Sequence, residues 1–288
     1  MREWSTGTTE LAPGVFAYVQ ATGGFCIANA GILSRPGAAT TVIDALFTPD
    51  MTAALLGETR RLAQAPIARL INTHHHVDHT LGNGMFPADT EILSHSRAKA
   101  EMERVGLAVL VIIERMAPRF EGKLAGVTER LPDATFDGEA LEIEAGGRRL
   151  RLLHYGTAHT RGDILVHLPE ERILFVGDAA FFYVTPMAFE GHVGNWIRVC
   201  DRILTEIDAA VLVPGHGPVG SMDDLRLFRD YLRLVYDNSR RAFDAGTSER
   251  EARESIDLGA YAEWGEPERL AINVARCYQE FRGEVSVE

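Results

Sequence analysis

The stretch NTHHHVDHT, Asn72–Thr80, places four of the chain's ten histidines within six residues, beside one aspartate. The run IARLINT (67–73) leads into it, is rich in aliphatic residues and predicts a β-strand, so the cluster is expected where that strand ends. Loops at strand ends suit binding groups because the sheet holds them in place. Imidazole nitrogen and carboxylate oxygen are ligands of catalytic zinc. The stretch therefore predicts a metal site.

The spacing within the cluster predicts two metal ions. His74 and His76 are two residues apart, so both rings point toward the same ion on an extended segment. Asp78 and His79 follow at once and cannot easily reach that ion with good geometry, which favours a second ion beside the first. His75 is expected to point away from its neighbours, in a supporting or structural role.

Three further candidate ligands follow strands predicted in the second half of the chain, at 148–156, 163–169, 172–179 and 209–216. They are His159 in GTAHTRGD, Asp178 in VGDA and His216 in VPGHG. Each has an ordinary alternative when it is taken alone: either histidine could be a polar loop residue, and the aspartate could cap a turn. Together with the histidine cluster they favour a metal centre.

At these positions the chain resembles the metallo-β-lactamase superfamily. The motifs that carry the resemblance are HHHVDH (74–79), AHTRGD (158–163), FVGDA (175–179) and VPGHG (213–217), within about residues 15–220. It implies an α/β fold, the four-layer αββα sandwich, with two zinc ions at the edge between the sheets and iron or manganese as alternative occupants. The metal ligands that it implies are His74, His76 and His159 on one ion, Asp78, His79 and His216 on the other, and Asp178 bridging both.

Near residue 220 the sequence changes from alternating strand and helix patterns to helical patterns alone, which predicts that the chain has two parts. Residues 1–220 would form the sandwich domain, and residues 221–288 would form a helical C-terminal extension packed on it. The helix signals in the second part are two capping pairs and one further helical run: Ser221 with Asp224, Ser248 with Glu251, and 266–281. In the first part, FCIANAGILS (25–34) predicts a strand, and Thr48 followed by Pro49 predicts the start of a helix.

The expected activity is hydrolysis. Two cations lower the pKa of a shared water toward neutrality, and Asp78 is the expected catalytic residue because its carboxylate can orient the resulting metal-bridging hydroxide and accept a proton. The predicted substrate is small and partly hydrophobic, with a carbonyl ester, thioester, lactone or amide bond. Two alternatives stay open: a polyketide thioesterase/cyclase-type member of the superfamily, and a non-haem iron dioxygenase acting on sulfur or another redox use of the metal site.

Apolar segments near the motifs predict the walls of a substrate pocket. VGLAVLVIIERM (105–116) is apolar nearly all round, and FFYVTPMAF (181–189) follows Asp178 closely, with packing in the core as the alternative for each segment. The candidate pocket residues are Tyr183, Phe189, His192, Asn195 and Trp196.

Charge and composition disfavour several classes of function. The formal net charge is −12, and an acidic surface without a basic run repels nucleic acid. No apolar run approaches the roughly 20 residues of a membrane helix. The N-terminal segment lacks the apolar core of a secretory signal. These features predict a cytoplasmic protein that acts on a small-molecule substrate, with a homodimer left open.

Overall fold

The chain folds into two β-sheets flanked by helices, as a computed structural model describes for residues 4–63 and 65–287. Its strands are β1 (Gly7–Ala12), β2 (Val15–Val19), β3 (Ala30–Leu33), β4 (Thr40–Ile43), β5 (Ile67–Ile71), β6 (Glu91–His95), β7 (Ala134–Phe136), β8 (Ala140–Ala145), β9 (Arg148–Leu153), β10 (Leu165–Leu168), β11 (Ile173–Phe181) and β12 (Val211–His216). Its α-helices are α1 (Pro49–Leu62), α2 (Val77–Thr80), α3 (Ser96–Val105), α4 (Val109–Met116), α5 (Val193–Glu206), α6 (Met222–Asp244), α7 (Glu249–Ser255) and α8 (Leu270–Phe281). None of the helices described combines the length and the apolar character needed to cross a membrane.

The strands divide between the sheets in chain order. Strands β1 to β7 form one sheet in that order, and the other sheet has the order β12-β11-β10-β9-β8. Parallel pairing joins β4, β5, β6 and β7 in the first sheet and β11 with β12 in the second. Parallel neighbours need a crossover, which α1 supplies between β4 and β5 and α5 supplies between β11 and β12. The carboxyl ends of these parallel neighbours therefore lie at the same edge of their sheet.

Side-chain alternation along the strands explains why the sheets stack. On β2, Val15, Ala17 and Val19 belong to the core between the sheets, whereas Phe16 and Tyr18 belong to the core on the outer face. A strand points successive side chains to opposite faces, so an apolar residue at every position buries both faces. The core between the sheets is completed by aliphatic residues of the second sheet, among them those of β9, β10 and β11.

Helices cover both outer faces. Leu55 and Leu56 of α1 pack on the first sheet. Helices α5, α6 and α8 pack on the second sheet through a core that includes Trp196, Phe228 and Val274. The predicted four-layer αββα architecture with a helical C-terminal portion is therefore confirmed.

Several helix starts also follow the sequence signals. The hydroxyl of Thr48 accepts a hydrogen bond from the backbone of Met51 at the start of α1. Capping boxes of Ser221 and Ser248 open α6 and α7. The third C-terminal helix, expected from residue 266, instead begins at Leu270, because a 3₁₀ turn from Pro267 precedes it.

The strand expected over 25–34 is shorter in the structure and begins at Ala30. The side-chain amide of Asn29 donates to the carbonyl oxygens of Pro214, at 2.9 Å, and Gly217, at 2.8 Å. The polar groups of Asn29 are therefore bonded to the turn around the end of β12, which holds the preceding loop beside the candidate metal site.

Asp178 lies within a strand and not at its end as expected, because β11 continues to Phe181. The register between β11 and β12 shifts on both sides of Gly177, and Gly177 has a φ of 50°, in the left-handed region. Such an irregularity re-aims the next side chain without ending the strand. It allows Asp178 to face the loops of the first sheet.

Candidate metal centre

All seven predicted ligands meet at one edge of the sandwich. The loop after β5 and helix α2 supply four of them, the loop between β9 and β10 supplies one, and β11 and the end of β12 supply one each. Ligand atoms lie within 4.8 Å of one another in each of two donor sets. The first donor set is His74, His76, His159 and Asp178, and the second donor set is Asp78, His79 and His216.

Asp178 contacts both donor sets. Its Oδ2 lies 3.1 Å from Nε2 of His159, and its Oδ1 lies 3.1 Å from Nε2 of His79. In the second set, Nε2 of His216 lies 3.3 Å from Oδ2 of Asp78. In the first set, Nδ1 of His76 lies 2.9 Å from Nε2 of His159. Donors of this kind need a cation when they converge so closely away from water.

Several of these buried atoms have no hydrogen-bond partner among the described residues. They include Nε2 of His74, and also Nε2 of His79 and Oδ1 of Asp178, whose 3.1 Å contact lacks the geometry of a hydrogen bond. A buried polar atom without a partner costs about 1–3 kcal/mol, so native structures rarely leave several together. The orphaned atoms, the nitrogen and oxygen donors and the three- to four-residue sets fit zinc ions that keep a position open for chemistry.

Hydrogen bonds behind the site turn the imidazole lone pairs toward it. Nδ1 of His79 donates to Asp44 at 2.8 Å, which leaves Nε2 free to bind. The hydroxyl of Thr73 donates to the same carboxylate at 2.7 Å and lies 3.1 Å from Nδ1 of His74. Nδ1 of His216 donates to the carbonyl of Gly23 at 2.9 Å. Such supporting contacts fix the ring tautomer and orientation of a metal ligand.

The carboxylate of Glu190 contacts both His76 and His75. Its Oε1 lies 3.3 Å from Nε2 of His76 and 3.0 Å from Nε2 of His75. The unused Nδ1 of His76 then faces His159 and the first donor set. His75 thus points away from the donor sets, and its partner is a carboxylate on a distant loop.

Asp44 and Glu190 are not among the residues predicted from the sequence. Asp44 directly follows β4, so the strand-end rule that found the other candidates could have found it too. Glu190 follows no strand end and belongs to none of the quoted motifs. Only the folded chain brings it to His75 and His76.

The local charges favour a cation here. Burial would raise the pKa of Asp78, but His216 and His79 hold it at about 2. Burial would lower the pKa of His216, but Asp178 and Asp78 raise it to about 9. Burial lowers the pKa of His159 to about 4. The carboxylate of Asp78 is therefore anionic near pH 7, and the imidazole of His159 is neutral, which is the form that could bind a metal ion.

The turn that carries His159 is fixed from within. The carboxylate of Asp163 accepts a hydrogen bond from the backbone of Thr160 at 2.8 Å and from its hydroxyl at 2.6 Å.

Glycine at position 215 leaves the space that the Asp178 carboxylate occupies, because a Cβ there would overlap Oδ1 of Asp178.

The family model of the metallo-β-lactamase superfamily matches residues 23–216, a range that includes every candidate ligand. The chain belongs to the metallo-β-lactamase superfamily.

The curated relatives of this superfamily member are distant. The 2,4-dinitroanisole O-demethylase subunit alpha of Nocardioides sp. (strain JS1661) is 29% identical over 52% of this chain and 40% of that protein. The acyl-coenzyme A thioesterase MBLAC2 of Homo sapiens is 25% identical over 55% of this chain and 58% of that protein. The linear primary-alkylsulfatase of Pseudomonas sp. (strain ATCC 19151) is 22% identical over 75% of this chain and 48% of that protein. The chain thus spans about half the length of these relatives.

Two solved structures share the fold of this superfamily member. The stereoselective inverting sec-alkylsulfatase of Pseudomonas sp. superposes with a TM-score of 0.77 at 19% identity, over 96% of this chain and 50% of that chain. The DIM-1 metallo-β-lactamase superposes with a TM-score of 0.62 at 17% identity, over 79% of this chain and 96% of that chain.

A cavity of about 450 Å³ lies above the candidate metal centre of this superfamily member. Residues of both donor sets line it, among them His76, Asp78 and His216. Phe189 lines the cavity as expected, and its ring stacks on that of His76 with 5.0 Å between centroids.

Two other candidate pocket residues support the helical layer. The hydroxyl of Tyr183 donates to Asp224 at 2.7 Å, at the start of α6. The ring of His192 caps α5 and accepts from the backbone of Asn195 at 3.1 Å. Neither is among the described residues that line the cavity, which differs from the sequence-based expectation.

The last two candidates lie behind the site. The side-chain amide of Asn195 donates to the carbonyl of Thr157 at 2.6 Å, beside the turn that carries His159. Trp196 is fully buried, donates to the carbonyl of Ala179 at 2.8 Å and lies 5.1 Å from the ring of His159. Because α5 packs this face against the second sheet, both support His159 from behind, away from the cavity.

Proposed function

We propose that this chain is a metal-dependent hydrolase that holds two zinc ions and cleaves a carbonyl ester, thioester, lactone or amide, with a thioester favoured. The position of Asp178 carries the proposal. Each of its carboxylate oxygens lies 3.1 Å from an imidazole of a different donor set, which is the place of a bridging ligand. The first donor set would hold one ion, the second donor set the other, and Asp178 both.

The chemistry assigned to this site needs few protein groups beyond the ligands. Zinc ions held there would supply Lewis acidity and lower the pKa of bound water. Asp78 lines the cavity, and its carboxylate is the group to which we assign transfer of a proton from the attacking water to the leaving group.

The names of two relatives support a thioester as the substrate of this chain. One of them is an acyl-coenzyme A thioesterase, and another, from Maricaulis maris (strain MCS10), is a hydroxyacylglutathione hydrolase. A specific observation favours a second candidate, hydrolysis of an alkyl sulfate. The match to the linear primary-alkylsulfatase extends over 255 residues and therefore reaches further along this chain than the match to the thioesterase, at 171 residues.

The test begins with the metal content of the purified protein. We expect elemental analysis to find about two zinc ions per chain. Iron in their place, with consumption of oxygen, would support an oxygenase and contradict the proposal.

The second step is a hydrolysis screen of the zinc-loaded protein on acyl thioesters, lactones, alkyl sulfates, a chromogenic cephalosporin and phosphodiesters. We expect Asp178→Asn to lower turnover of the best carbonyl substrate at least about 100-fold with the fold intact, because it removes the charge shared by both ions. Normal turnover by zinc-loaded Asp178→Asn would contradict the bridging role. Strong phosphodiesterase activity without carbonyl hydrolysis would contradict the substrate class.

A further inference from the structure

The cavity above the candidate metal centre has hydrocarbon walls from two separate segments of the chain. One wall is formed by α4, through Val109, Ile112 and Met116, together with Val105 at the end of α3. The other wall comes from the loop after β11, through Met187 and Phe189. The donor sets of the metal centre lie in the same cavity, so a molecule between the walls reaches them directly.

The apolar rim of this cavity is unusually exposed. Ile112 and Met116 are each 57% exposed, and Phe189 is 48% exposed. Isolated exposed apolar residues are ordinary, but exposed apolar residues gathered around a concave site mark a ligand-binding groove. The rim therefore favours a ligand whose own hydrocarbon part buries these apolar side chains.

The charges of the lining restrict that ligand further. Among the described lining residues, Arg269 is the only arginine or lysine. Its guanidinium is buried, donates to the carbonyl of Thr185 at 2.9 Å and pairs with Glu266. Glu190 and Asp78 add negative charge. An anionic group therefore has no unpaired arginine or lysine in this lining, and the part of the substrate between the walls must be uncharged.

We infer that this cavity binds an unbranched hydrocarbon chain, with the scissile bond at the metal centre and the chain between α4 and Phe189. The inference rests on the proposed function and names the substrate class of the same site. A carbon of such a chain occupies about the volume of a water molecule, roughly 30 Å³. A chain of about eight carbons would therefore fill roughly half of the cavity of about 450 Å³ and leave the other half for the group that reacts at the metal centre.

Ile112 is the residue of α4 through which the site selects the length of the hydrocarbon chain. Val111, the preceding residue of α4, provides a control substitution. It is 55% exposed, but it is not among the described residues that line the cavity. Because both side chains are about half exposed, shortening either one to alanine leaves the core of the fold unchanged.

The test measures kcat/KM for acyl thioesters of N-acetylcysteamine from acetyl to decanoyl, below the concentration at which they form micelles. We expect a rise of about two- to fourfold per added methylene up to about eight carbons, since each buried methylene adds a constant increment of binding. Ile112→Ala should lower the octanoyl value about fivefold and leave the acetyl value within about twofold. Val111→Ala should change neither. A flat series, or equal effects of the two substitutions, would overturn the inference.

Two further measurements separate this inference from the proposed function. The first measures kcat/KM for alkyl sulfates from butyl to decyl. If kcat/KM rises with the length of the alkyl chain while thioesters are not hydrolysed, the hydrocarbon site is supported and the thioester assignment is overturned. Binding of octanoate and butanoate by calorimetry needs no turnover. Tighter binding of octanoate, lost in Ile112→Ala and kept in Val111→Ala, supports the site even in a protein that hydrolyses nothing tested. Equal binding of the two acids would overturn it, as would gel filtration showing that both substitutions disrupt a dimer built on this rim.

Discussion

Replacing Glu190 by glutamine tests whether this carboxylate orients His76 for metal binding. Burial opposes ionisation, but hydrogen bonds from His75 and His76 hold the pKa of Glu190 well below its usual range. Glutamine has nearly the same shape but no charge. A hydrogen bond to an ionised acceptor contributes about 1.5–3 kcal/mol and one between neutral groups about 0.5–1.5 kcal/mol. The difference of about 1–1.5 kcal/mol corresponds to a roughly tenfold weaker affinity for one ion.

The expected result is selective. When the zinc-loaded Glu190→Gln variant is titrated with a competing chelator, one zinc ion should be released at a chelator concentration about tenfold lower than in the wild type. The other zinc ion should be released at the same concentration as in the wild type. The control is Glu266→Gln: the side chain of Glu266 is 26% exposed, like that of Glu190 at 27%, and it pairs with Arg269 and not with a histidine. Unchanged affinity for both ions, or the same loss in the control, would refute the reasoning. A fall from three bound ions to two would show instead that Glu190, His75 and His76 form a metal site of their own.

Three other perturbations test the packing and charge around the site. Gly215→Ala should lower zinc content below two ions per chain by elemental analysis, because the added Cβ displaces the carboxylate of Asp178; two retained ions would contradict this. Trp196→Ala should lower the free energy of unfolding in urea by about 3–5 kcal/mol, since it empties a fully buried site; a loss under 1 kcal/mol would contradict it. Burial and then the neighbouring His154 lower the pKa of His95 to about 4, so the unfolded chain binds the proton more readily and stability should fall as the pH drops from about 7 toward 4. His95 also caps α3, where its ring accepts a hydrogen bond from the backbone of Arg97 at 3.2 Å. His95→Asn keeps a capping side chain and should make the loss of stability between pH 7 and pH 5 smaller in urea titrations, whereas an unchanged loss would show that His95 contributes nothing.

Predictions from sequence succeeded where a few neighbouring residues carry the signal. Thr48 and Ser221 cap helices because their hydroxyls meet backbone groups only a few positions further on. The αββα layering followed from a resemblance carried by short motifs at strand ends. The seven candidate ligands do meet, but their roles as ligands remain a proposal, as do the two-part domain division and the dimer.

Prediction failed where the deciding contact joins distant segments. The strand after residue 25 was cut short because Asn29 bonds to the turn beyond β12. Trp196 was expected in the pocket, but α5 presents it to the second sheet behind His159. Neither outcome is encoded in the residues next to these positions, since both depend on which surfaces meet once the layers stack.

By itself, the sequence determined which chemical groups this protein carries to the ends of its strands, because hydrophobic periodicity and donor spacing are local properties. Only the tertiary structure decided that Asp44 and Glu190 would contact the histidine rings from behind, and that α4 and Phe189 would line the same hydrocarbon cavity. The physical reason is that these contacts join parts of the chain far apart in sequence, and they form only when the burial of two sheets and their helices brings those parts together.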